Sequence, residues 1–73
     1  MAHDNIPLDV ELWRKPRVED KSGLKSSRIY ELVAEGKFPR PVKLGPRASA
    51  WVSTEVLAWI AARIAERDKG QQS

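Results

Sequence analysis

The sequence predicts a small α+β domain, mostly helical: a short helix, a second helix, a β-hairpin and a longer closing helix, in that order. Three observations carry this reading. The chain has only 73 residues, room for one domain. Two helix-suited stretches, followed by Gly23 and Gly36 respectively, are separated by the three residues Gly23-Leu24-Lys25. A proline-interrupted segment then leads into alternating residues on either side of a Gly-Pro turn.

Each element follows from local chemistry. Residues 1–13 read as an arm: Met-Ala-His-Asp-Asn is polar, His3 lies within it, and Pro7 interrupts regular structure. Leu8, Val10 and Leu12 alternate, which suits a short extended segment laid on the core. Residues 17–22 suit a short helix. Pro16 fits a first turn, where its missing N–H is an orphan in any case, and Glu19 and Asp20 favour the positive end of the helix dipole. Gly23 stands where a left-handed residue is wanted. Residues 26–35 form a second helix, with Ile29, Leu32 and Val33 at i, i+3 and i+4 and Gly36 ending it. A short helix, a three-residue turn with glycine and a second helix make the helix-turn-helix pattern.

Phe38-Pro39-Arg40-Pro41 cannot be helix, because two alternate prolines enforce extended backbone. Val42-Lys43-Leu44 then alternates, Gly45-Pro46-Arg47 turns, and residues 48–52 return as a strand. Alternation predicts Val42 and Leu44 inward, with Trp51 capping a small core. Ser53 suits an N-cap and Glu55 the first turn of the last helix. There Val56, Leu57, Ile60 and Ile64 share a face, with Trp59 at its edge. The domain is expected to span residues 14–68, followed by a polar tail over 69–73. A helix-turn-helix followed by a hairpin and a closing helix is a winged helix-turn-helix.

Composition narrows the function. With no cysteine and one histidine, disulfides, zinc fingers, iron–sulfur clusters and thiol catalysis are excluded, and no metal or cofactor is expected. Scattered acidic residues and the lack of a glycine-rich phosphate loop argue against an enzyme. The longest apolar run, residues 56–62, is far short of the roughly 20 residues needed to cross a bilayer. The N-terminus has no secretory pattern, so a cytoplasmic protein is expected.

The formal charge is +3, and it is unevenly placed. Residues 1–12 carry −3, residues 13–50 carry ten basic and four acidic side chains, and the remainder balances. The pI is near 9.6. A basic domain with clustered charge is the electrostatic footprint of a nucleic-acid binder, although a solvated face has the same composition.

The run from Gly23-Leu24-Lys25-Ser26-Ser27-Arg28-Ile29-Tyr30 through Gly36-Lys37-Phe38-Pro39-Arg40-Pro41-Val42, followed by Ala50-Trp51 and Glu55-Val56-Leu57-Ala58-Trp59, resembles the AlpA family of phage and prophage regulators. The resemblance spans residues 17–62. It implies a MerR-like winged helix that binds double-stranded DNA, acting as a transcriptional regulator of a mobile element or as an excisionase that steers a partner integrase. One departure stands out: the family usually has Ser after Gly-Leu to cap the recognition helix, and here that position is Lys25.

The expected DNA contacts are Lys25, Ser26, Ser27, Arg28 and Tyr30 on the recognition helix. Its N-terminal residues would face the bases, and Arg28 could pair with a guanine edge. Lys37, Arg40, Lys43, Arg47 and Ser49 are expected on the wing and its approach, with Arg47 suited to a narrow minor groove. The competing assignments are plain ones. Arg28 could pair with Glu31 or Glu35, Ser26 and Ser27 could cap the helix, Tyr30 could pack half in the core, and Arg14, Lys15 and Arg17 could contact backbone or merely solubilise. One helix and one wing form a small interface, so repeated sites and cooperative self-association on DNA are expected. The rival reading is a protein–protein module, an anti-repressor or phage assembly factor.

Overall fold

The computed structural model describes residues 9–71, with the side chain of Gln71 left aside. Its elements are β1 (Leu12–Trp13), α1 (Lys15–Ser22), α2 (Ser26–Ala34), β2 (Val42–Gly45), β3 (Ala48–Val52) and α3 (Ser53–Gln71). Together they build a winged helix-turn-helix whose antiparallel sheet has the order β1-β3-β2.

α1 starts two residues before the expected position, and Pro16 lies in its first turn, where a missing N–H costs nothing. Gly23 ends it at φ 77°, a conformation only glycine adopts cheaply. Its N–H donates to Glu19 O at 2.9 Å. The turn is reinforced by Ser22, whose hydroxyl donates to Val18 O and accepts from Leu24 N–H. α2 closes in a Schellman motif: Gly36 at φ 74° donates to Val33 O and Lys37 N–H to Leu32 O.

The core is Trp13, Val18, Ile29, Leu32, Phe38, Trp51 and Val56, with Leu24, Val33, Trp59 and Ile60 packed against it. β3 is the hub, touching β1, β2, α1 and α3. Every indole N–H is bonded. Trp13 donates to Glu11 Oε1, Trp51 to Pro39 O and Trp59 to Lys37 O. The last two hold the proline-rich connection between α2 and the wing. Phe38 stacks edge-on against Trp59 at 5.0 Å between centroids.

The expected extended segment at the end of the arm is present, and other expectations are corrected. The extended arm segment is a true strand: Leu12 pairs with Val52 and Trp13 with Trp51, and Trp13 enters the core. Val42 and Leu44 do not point into the core but are 39% and 48% exposed. The hairpin projects past the helices, so neither face of β2 is covered. The apolar stripe of α3 is buried only at its start. Val56 is fully buried and Ile60 packs against the core, whereas Leu57, one residue round the helix from Val56, and Ile64, beyond the core, are 49% and 47% exposed. α3 also includes Lys69 and Gly70, which the sequence placed in a tail. Residues 1–8, with His3, Pro7 and Leu8 of the expected arm, lie outside the described residues.

Ser53 has a different task from the expected cap. It is buried, its hydroxyl accepts from Glu11 N–H at 2.8 Å, and its own N–H donates to Glu11 O at 2.8 Å. This reciprocal pair clasps the approach to β1 to the start of α3.

Candidate nucleic-acid interface

The first turn of α2 carries Ser26, Ser27 and Arg28, short hydroxyls followed by a cation. Lys25 takes the N-cap position in extended conformation, and its side chain makes no capping bond. Its carbonyl accepts Ile29 N–H at 3.0 Å, the ordinary first helical bond. The helix therefore starts at Ser26 despite the missing serine cap, leaving Lys25 exposed. Ser26 is half-buried, and Ser27 and Arg28 are exposed. Arg28 holds Glu31 at 3.0 Å, an i, i+3 pair on open surface. Exposed pairs of this kind are worth about 0–1 kcal/mol, so the guanidinium is held only loosely.

Tyr30 sits at the junction of three elements. Its ring is tilted against Trp51, with centroids 6.2 Å apart, and Lys15 Nζ lies 5.2 Å from its centre. The residue is 46% exposed, half held and half free.

The wing is a tight hairpin. Pro46 and Arg47 make a two-residue turn between Gly45 and Ala48. Pro46 locks φ near −65° and so excludes the mirror-image turns that best match strand twist. The ladder accommodates this with a register shift between Lys43 and Gly45. Lys43 is paired with Ser49, and cross-strand partners share a face. Trp51, two residues on from Ser49, shares it as well.

That face turns toward α2. Tyr30, Arg47 and Ser49 line one open cleft of about 220 Å3 with Arg14 and Lys15, and Trp51 forms part of its wall. Lys37 and Arg40 are not part of it. Lys37 pairs with Glu35 at 3.7 Å and borders a separate groove with Trp59, Arg63 and Glu66. Arg40 is exposed in the connection.

The basic residues around α1 divide. Arg14 and Lys15 join the cleft, while Arg17 stacks over Trp13 at 5.9 Å from the ring centre. The signal for Arg14 and Lys15 was two adjacent cations just before Pro16. Nothing in the sequence placed them beside Arg47. Among the described residues no group of His, Cys, Asp or Glu could hold a metal ion, and no helix is long and apolar enough to cross a membrane.

Comparison with known proteins adds to this geometry. Residues 11–64 match the profile of the prophage CP4-57 regulatory protein (AlpA) family. A 57-residue segment is 49% identical to the uncharacterized protein ORF88 of Enterobacteria phage P4, covering 78% of this chain and 65% of that protein. The chain thus spans just under two thirds of that relative's length. No solved structure matches.

Proposed function

Since the chain belongs to the AlpA family of prophage regulatory proteins, we propose that it regulates by binding double-stranded DNA, with α2 in the major groove and the β2–β3 wing on the backbone or minor groove. The observation that carries this is the alignment of two surfaces. The open first turn of α2, with Lys25, Ser26, Ser27 and Arg28, lies one turn from Tyr30. Tyr30 in turn shares the cationic cleft with Arg47 and Ser49 of the wing. A recognition helix reads bases from its N-terminal residues. Lys43 and Arg47 supply the sequence-independent phosphate attraction.

One protomer covers little DNA, about 600–1,000 Å2 by analogy with single modules. Sequence preference then comes from repeated sites occupied cooperatively by several copies. The same surface serves transcriptional control and excision. In the second role, bound copies shape an attachment site for a partner integrase or recombinase. The protein works in the cytoplasm, at the nucleoid.

The test is selection of bound fragments from the source genome at two salt concentrations. Enrichment of repeats beside an integrase gene or attachment site supports excision or control of that gene. Enrichment at an unrelated promoter supports transcriptional regulation alone. No binding even at low salt overturns the DNA reading in favour of a protein–protein module.

A further inference from the structure

The cleft at the junction of α1, α2 and the wing is chemically unlike the other clefts described on this surface. The groove beside Trp59 contains Glu66, the one below Trp13 contains Glu11 and Asp20, and the one under Gly23 contains Glu19 and Asp20. The junction cleft contains no carboxylate. Its polar lining is Arg14, Lys15, Arg47, Tyr30 and Ser49: three cations and two hydroxyls, contributed by three different elements.

Like charges gathered without a counter-charge repel one another. The described ion pairs do not neutralise them, since they engage Arg28, Lys37, Arg63 and Arg67. Lys15 is held instead over the face of Tyr30, an interaction that positions the ammonium and leaves its charge intact. Trp51, wholly buried, fixes the wall on which Tyr30 leans.

We propose that this cleft seats a single phosphate of the DNA backbone, gripped by Arg14 and Lys15 from one side and by Arg47 from the other. The Tyr30 and Ser49 hydroxyls donate to its remaining oxygens. The inference rests on the DNA reading and extends it. Arginine forks match phosphate oxygens in pairs, and a phosphodiester supplies the negative charge that the cleft lacks. Arg14 and Arg47 are far apart in the chain, so one phosphate held by both ties the wing to the helix-turn-helix. Phosphate contacts of this kind set register and orientation and carry no sequence information.

The experiment compares the wild type with Arg14→Gln and Lys15→Gln on the selected duplex and on an unrelated one, across a salt series. Each variant is expected to lose about tenfold in affinity on both duplexes alike, the size of one charge-assisted contact. The dependence of log K on log salt should become shallower by about 0.9. Arg63→Gln, on α3 and outside the cleft, should leave the slope unchanged. Ethylation interference should find one phosphate whose alkylation weakens the wild type more than it weakens Arg14→Gln, which has already lost one of the contacts to it. An unchanged slope in both cleft variants, or a loss confined to the selected duplex, overturns the seat while leaving DNA binding intact. Absence of any duplex binding by the wild type removes the DNA reading and the seat together. If inorganic phosphate alone then shifts the Arg14, Lys15 and Arg47 amide resonances, the cleft is a free-phosphate site instead.

Discussion

Trp51 offers the sharpest test of how this fold is held. It is fully buried in the central strand and faces Trp13 across the ladder. Its indole N–H donates to Pro39 O at 2.9 Å. Trp51→Phe keeps an aromatic ring of high strand propensity but removes this donor and part of the ring. An unpaired, poorly solvated carbonyl costs about 1–3 kcal/mol, and the missing ring atoms add roughly 1 kcal/mol in lost packing. The expected loss is about 2–4 kcal/mol, against a total of about 4–11 kcal/mol for a chain of this length. At roughly 4–8 °C per kcal/mol for a domain this small, Tm should fall by at least about 8 °C. Trp51→Ala, losing about 3–5 kcal/mol of packing as well as the bond, should abolish cooperative unfolding at 37 °C. Thermal and urea denaturation followed by far-ultraviolet circular dichroism measures both. Trp59→Phe is the internal comparison. Its indole bond to Lys37 O is exposed, so water replaces the donor and the loss should stay near 1 kcal/mol. A Trp51→Phe variant melting within about 2 °C of wild type would refute the claim that the indole bond to Pro39 O and the buried ring help hold the fold.

Gly23→Ala has open space around its new methyl group, so its cost is purely that of a left-handed backbone, about 1–2 kcal/mol; an unchanged Tm would contradict the observed turn. Ser53→Ala leaves Glu11 N–H without its acceptor and should cost about 1–2 kcal/mol, with loss of hydrogen-exchange protection at that amide as the direct readout. On DNA, Arg28→Ala should cost about 1–3 kcal/mol and relax sequence preference, whereas Lys43→Ala should weaken all sequences equally and reduce the salt slope by about 1. Fragment selection repeated with each variant separates the two, and an unaltered preference in Arg28→Ala counts against base contact.

The parts legible in the sequence were those decided within a few residues. Gly23 and Gly36 end helices because the chain turns left-handed there, and alternate prolines keep residues 38–41 out of helix. Periodicity located the apolar faces of β2 and α3 but not their cover. A period says which side chains share a face; whether another element reaches that face is a tertiary fact. Val42, Leu44, Leu57 and Ile64 are exposed for this reason. The clasp between Glu11 and Ser53 joins residues 42 apart, and no local pattern encodes such a partner. Trp13 was missed as core on the same ground. The site divides similarly. The open turn of α2 follows from Gly-Leu-Lys-Ser, whereas the meeting of Arg14, Lys15 and Arg47 depends on the path of the whole chain.

The two-residue strand β1 has a consequence beyond its size. It covers one side of β3 with only Leu12 and Trp13, yet it is all that separates the central strand from solvent on that side. A fragment trimmed to the helix-turn-helix and wing, starting at Arg14, would present a bare edge at Trp51 and Val52. Open edges of apolar strands recruit one another. Such a fragment would be prone to stack through β3, with the indole of Trp51 newly uncovered beside the exposed edge. The short N-terminal strand is therefore as much a guard against self-templated aggregation as a contributor to the core.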